Sequence, residues 1–320
     1  MRTLWLPGRT LLLVALALLV GTTSSVYARG FADLPADPKP PKTTRSNHYV
    51  VSNERRHFLF RESVENVGGV FVGVGSDQVY LMAGWAKPEV LIPMDFDQFI
   101  VDLHGIYRLA FLKSETPEAF LKLWNDASRM KTLVKEGAGS DDKKAKLLNV
   151  LDFGRKAIAA RLGRVKRQYS KLNVATFLTD ASQYNFLVEL FKADKVFPVR
   201  GDLTKKQTMQ GIAAATRKAN LHVGAIYLSN AEQYFTFSQQ YRDNIAAMPF
   251  NEKSLVLRTF PDGKKGYYYF TQSGKLFQNW MERAKIRKVF SMLKTKRAVA
   301  GTHNRFFRLE SEPPKRWLRK

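Results

Sequence analysis

Small polar and acidic side chains in this chain gather directly after apolar runs. The run "GVFVGVG" gives way to Gly73, Gly75, Ser76, Asp77 and Gln78, and "PEVLIPMDFD" ends in Asp95 and Asp97. "KVFPVRGDL" closes on Arg200, Gly201 and Asp202, and "HVGAIYLSN" on Ser229 and Asn230, with Glu232 close behind. Glycine after a strand lets the backbone turn tightly and approach a ligand, and a carboxylate at a strand end can accept bonds from sugar hydroxyls. Asp95 follows Gly73 by 22 residues, close to the roughly 20-residue offset that separates the glycine turn from the ribose-binding acid in nucleotide folds. Asp and Asn also cap helices and close turns at such places, so none of them alone assigns a ligand. Asp77 would repel a phosphate, which favours a ligand without one, such as a sulfonium nucleoside.

Other chemistries find less support. The five histidines, His48, His57, His104, His222 and His303, show no metal-ligand spacing, and a hydrogen-bonded structural histidine is the plain reading of each. His104 and Arg108 share a helix face after Asp97 and are expected near the same crevice or on that helix's polar flank. There is no serine nucleophile elbow and no lysine-bearing phosphate loop. The absence of cysteine excludes disulfides, thiolate metal sites and a cysteine nucleophile.

Alternating strand and helix periods must position these residues. "GVFVGVG" reads as a strand buried on both faces, followed by a helix to about Trp85. Phe99, Ile100, Leu103, Ile106, Tyr107, Ala110 and Phe111 recur at helical steps after the second apolar run. From Ser114 to Lys192 the pattern is helical throughout, with a loop at Gly137 to Asp142. Strand and helix then alternate again to "SLVLRTF". This rhythm predicts an α/β fold, a doubly wound, mostly parallel Rossmann-like sheet with right-handed crossovers. It carries a helical insertion over about 114–192, and "GYYYF" and "HNRFFRL" are expected as C-terminal edge strands. In such a sheet the ligand crevice lies beyond the carboxyl ends of the strands, where the strand order reverses.

The termini and the charge add an address. Arg2 and Arg9, the apolar "LLLVALALLVG" and the small residues at the Val26 and Ala28 positions are the pattern of a secretory signal cleaved after Ala28, and the protein is expected in the periplasm or outside the cell. That apolar stretch falls well short of the roughly 20 residues of a spanning helix. Residues 29–48, with "LPADPKPPK", are expected to be an extended proline-rich linker, and 49–320 a single domain. The formal charge is +24. Residues 131–171 carry 12 Lys or Arg against 4 Asp or Glu, and residues 282–320 carry 13 against 3, so the positive field belongs to the insertion and the tail. Anionic lipid or an envelope polymer suits that field outside the cytoplasm, where nucleic acid is a poor candidate. A solvated basic surface explains it equally well.

The order of motifs resembles that of class I methyltransferases that use S-adenosylmethionine: a glycine turn, an acid, "GD" and a polar "SN" after successive strands. More closely, "VSNERRHFLF", "VGVGSDQVYLMAGWAKPEVLIPMDFDQFIVDLHGIYRLAFLKSETPEAFLKLW", "VRGDL" and "YLSNAEQYFTFSQQYRDNIAAMPFNEKSLVLRT" are similar to a family of uncharacterised bacterial proteins with a methyltransferase-like Rossmann fold. The resemblance covers most of Tyr49 to Thr259. It implies Gly73 and Gly75 at the methionine end of S-adenosylmethionine, Asp95 at the ribose and Asp202 near the adenine. It also implies that Ser52, Asn53 and Glu54 fold over the crevice that Ser76, Asp77 and Gln78 line. The chain departs from the methyltransferase pattern where Phe71 replaces an acid and Asp77 a third glycine. The expectation is therefore an exported protein that binds a small polar ligand or envelope component without catalysis. An active methyltransferase and a basic cell-envelope interaction protein are the alternatives.

Overall fold

The computed structural model describes residues 30–40, 47–263 and 266–314. The expected signal segment and its cleavage point lie outside the described residues. No helix among the described residues is long and apolar enough to cross a membrane.

An eight-stranded mixed sheet organises the chain. Its strands are β1 (Val70–Val74), β2 (Val90–Asp95), β3 (Val199–Arg200), β4 (Val223–Tyr227), β5 (Leu255–Pro261), β6 (Tyr267–Ser273), β7 (Arg297–Ala298) and β8 (Phe306–Leu309), in the order β3-β2-β1-β4-β5-β6-β8-β7. The first five are mutually parallel, and β6 returns antiparallel to β5. The order reverses between β1 and β4, which places the switch point beside Gly73 and Tyr227. "GYYYF" and "HNRFFRL" form strands as expected, but neither is an edge. β6 sits between β5 and β8, and the two-residue β7 closes that side of the sheet. Alternation in "YYYFTQS" cannot separate an edge from an interior strand, because the covering β8 comes from 33 residues further on.

Helices pack on both faces. α1 (Asp77–Ala86), α2 (Gln98–Lys113), α3 (Pro117–Asn125), α4 (Ala127–Gly137), α5 (Asp141–Lys171) and α6 (Ala181–Lys192) surround one core with Phe71, Leu91, Tyr227 and Leu257. α7 (Gln207–Lys218), α8 (Gln239–Ala246) and α9 (Gly274–Met281) cover the other, over Val70, Val72, Ile92, Ile226 and Val256. Every residue of α1 is buried. A helix with no wet face needs a second cover besides the sheet, and α6 of the insertion supplies it.

The insertion starts each helix with a side-chain cap: Thr116 for α3, Asp126 for α4, Ser140 for α5 and Asp180 for α6. Each cap satisfies an amide that the first turn leaves unpaired. After β4, Ala231–Gln233 forms only a 3-10 turn, and the regular helix begins at Gln239 behind its cap Ser238.

The segment 30–40, read as spacer, is docked. Phe31 is 1% exposed. Asp37 accepts the Gln207 amide at 3.0 Å and the Asp202 amide at 3.0 Å, and so caps α7 from 170 residues away. Extended, proline-bearing sequence is as suited to lying along a surface as to spanning solvent.

Candidate crevice at the carboxyl edge of the sheet

The crevice between the ends of β1, β4 and β5 is filled by the chain itself. Ser52, Asn53 and Glu54 cross it, and Glu54 inserts its side chain, which is 2% exposed. Glu54 Oε2 accepts from Ser52 Oγ at 2.9 Å, from His57 Nε2 at 2.9 Å and from the Tyr227 hydroxyl. Oε1 accepts from Ser229 Oγ at 2.8 Å and from Thr259 Oγ1. Tyr227 ends β4, Thr259 lies in β5 and His57 opens the 3-10 turn His57–Phe60. Burial alone would raise the Glu54 carboxyl pKa. His57, Thr259 and Tyr227 outweigh it and hold the carboxyl at about 2. The group is a fixed anion whose oxygens are fully engaged, which is the condition of an anchor and not of a proton shuttle.

Asp77 anchors the same segment from the other side. Its Oδ2 accepts from Arg161 Nε at 3.0 Å, and Arg161 Nη1 donates to the Glu54 carbonyl at 3.0 Å. Arg161 lies on α5, 84 residues after Asp77, and both side chains are almost fully buried. The carboxylate that would repel a phosphate is thus the buried partner of an insertion arginine. Its Oδ1 meets the Ser52 amide at 3.4 Å.

The glycine turn is closed by its own residues. Gly75 has φ +103°, and a Cβ there would lie 2.1 Å from Gln78 Nε2. Gln78 donates to the Val74 carbonyl at 3.2 Å and accepts from the Ser76 amide at 3.2 Å. In a nucleotide fold that amide would face the ligand. Gly73 serves helix packing, since a Cβ there would meet a Val79 methyl at 2.8 Å. His104 buttresses the turn from α2, with Nε2 donating to the Gly75 carbonyl at 2.9 Å and Nδ1 facing the Tyr80 hydroxyl at 2.7 Å. The carbonyl can only accept, so Nε2 carries the proton and Nδ1 accepts from Tyr80. Burial lowers the His104 pKa to about 4 against that carbonyl's pull. Arg108 leaves this group and pairs with Asp194 at 2.8 Å on the surface.

The remaining residues read from the sequence divide by structural duty. Asp97 caps α2 and meets His48 Nδ1 at 2.7 Å. Arg200 Nε donates to the Asp37 carbonyl at 2.8 Å. Asp202 closes its own turn by accepting the Thr204 amide at 2.8 Å. Asn230 starts the 3-10 turn. Glu232 faces the opposite core, where Arg258 Nε at 2.6 Å and the Tyr241 hydroxyl at 2.9 Å hold it. Asp95 has no salt-bridge partner among the described residues. Its Oδ1 accepts the Asp97 amide at 3.0 Å, and burial, with the Asp97 charge adding to it, raises its pKa to about 7.

Sequence reasoning missed Arg161, Tyr227, Thr259 and Asp37. Tyr227 and Thr259 stand at the ends of apolar runs, where a polar atom on an otherwise buried strand was a usable signal. Nothing local marks Arg161 or Asp37, since their partners are distant in sequence. Among the described residues, no group of three or more His, Asp or Glu is placed to hold a metal ion.

No curated protein matches the chain. A family model described as a domain of unknown function, DUF7790, matches residues 49–310, and the chain belongs to that family.

Proposed function

We propose that this is an exported, non-catalytic binding protein built on a Rossmann-like sheet of methyltransferase type, released after Ala28 and acting on a small polar ligand or an envelope component. The observation that carries this reading is the occupied crevice. Glu54 and the Gln78 amide take up the space at the β1 and β4 ends where a nucleoside cofactor would need hydrogen-bond partners. Releasing Glu54 would strand buried donors on Tyr227, Thr259 and Ser229, each at a cost of about 1–3 kcal/mol. S-adenosylmethionine would have to displace them all.

Titration calorimetry with S-adenosylmethionine and S-adenosylhomocysteine tests the reading, with Asp95→Ala alongside. No saturable heat is expected from either protein. Micromolar binding by the wild type that Asp95→Ala abolishes would establish the methyltransferase alternative.

The envelope reading draws on α5, whose outer face carries exposed lysines and arginines around Phe153, a side chain 56% exposed. An anionic polymer or lipid surface docked there should be released as salt rises.

A further inference from the structure

Beside the filled crevice, a groove of about 280 Å³ opens between the chain just past Glu54 and the turn end of the β5–β6 hairpin. Arg55, Arg56 and Arg305 line it, together with Asn53 and Tyr267. Its one carboxylate among the described lining residues, Asp262, is engaged by Arg305. Arg55 and Arg56 therefore add two guanidiniums with no further acid in the described lining.

The stem that carries them is fixed. The Arg55 and Arg56 amides donate to the Tyr269 hydroxyl at 3.1 and 2.7 Å, and the Arg55 carbonyl accepts from Gln168 at 2.9 Å. Two consecutive arginines thus leave a rigid backbone at the rim, while their side chains stay exposed. Asn53 and Tyr267 share the lining with them. Paired guanidiniums suit an anion with several oxygens, which they hold through parallel N–H bonds. An aromatic ring beside an amide suits a compact hydroxylated body. The volume lies below the roughly 300–1,000 Å³ of sites for drug-sized ligands, which limits the ligand to about head-group size.

We infer that this groove binds a phosphate ester of a small polyol, with phosphoryl oxygens on Arg55 and Arg56 and the polyol against Tyr267 and Asn53. The inference rests on the binding-protein reading above and names its ligand class. Two sources share this chemistry, a free polyol phosphate and a glycerophosphate lipid head group.

The purified full chain is titrated with glycerol phosphate and, separately, with phosphatidylcholine vesicles containing phosphatidylglycerol. The Arg55→Gln/Arg56→Gln variant is compared with Lys218→Gln/Lys253→Gln, which removes the same charge from exposed sites outside both the groove lining and α5. The groove variant should bind at least about tenfold more weakly and the Lys218→Gln/Lys253→Gln variant within about twofold of wild type, as loss of charge-assisted bonds to an anion implies. Binding to glycerol phosphate identifies a free ligand, and binding to vesicles alone identifies a lipid head group. Either result, with that dependence on Arg55 and Arg56, supports the groove. No binding to either probe, or equal weakening by the Lys218→Gln/Lys253→Gln variant, overturns it. S-adenosylmethionine titrated into the same samples keeps the two readings apart, since binding there would overturn the non-catalytic reading and leave the groove result intact.

Discussion

Replacing Glu54 with glutamine should destabilise the protein heavily while leaving its volume almost unchanged. The carboxylate accepts five side-chain hydrogen bonds, from Ser52, His57, Tyr227, Ser229 and Thr259. Glutamine keeps one oxygen for Ser229 and Thr259 but turns an NH2 toward the other three. Hydroxyls can rotate to accept, whereas the protonated His57 nitrogen cannot. The pKa gives an independent magnitude. A shift from 4.5 to about 2 corresponds to about 3 kcal/mol favouring the ionised form in the folded state. Because the folded carboxyl titrates below the unfolded one, that stabilisation is complete above about pH 4.5 and is lost as pH falls toward 2. Urea denaturation at pH 7 should therefore show Glu54→Gln less stable by about 3 kcal/mol, a midpoint lower by about 1 M at a slope near 3 kcal/mol per molar. The variant should also lack that part of the wild type's acid sensitivity. A loss under about 0.5 kcal/mol would refute the reasoning, because it would mean the carboxylate is not an anchor.

Two further perturbations test the same packing. Arg161→Met leaves Asp77 charged and buried and should cost about 3–5 kcal/mol in urea denaturation, and adding Asp77→Asn should recover part of that loss. If the double variant is as unstable as the sum of the singles, the two do not act as a pair. His104 is held near pKa 4, below the 6.5 of the free side chain. The unfolded chain takes up that proton first, so stability should fall by up to about 3 kcal/mol from pH 6.5 to 4. A His104→Gln series across that range should lose this slope, and an unchanged slope would assign it to other groups.

Fold and site differed in how far the sequence revealed them. β1, β2 and β4 are continuous apolar runs, and burial on both faces makes such runs legible. β3 is only a two-residue ladder within "KVFPVRGDL", because Pro198, which has no amide hydrogen, separates it from the single bridge of Val196 to Leu91. The interior place of β6 and the docking of Phe31 depend on partners remote in sequence, which no local period encodes. The site shows the same division. Gly75 and Gln78 lie in one turn and were read together, although as a ligand cradle and not as a closed unit. Asp77 looked like a bar to phosphate because its neutralising arginine lies on α5. Asp95, Asp202 and Asn230 were read as ligand contacts at strand ends, and Asp202 turns out to close a turn there. Strand-end acids carry both duties, and only their hydrogen-bond partners tell them apart.

Ser52 to Glu54 should be a permanent filling of the crevice and not a lid. Amide hydrogen exchange at Arg55 and Arg56 measures this directly, because both amides are bonded to the Tyr269 hydroxyl although their side chains face solvent. Exchange as slow as that of the β4 and β5 amides, and unchanged by S-adenosylmethionine, is the result expected of a filled crevice. Exchange near the rate of an open loop, or protection that appears only when S-adenosylmethionine is added, would contradict it.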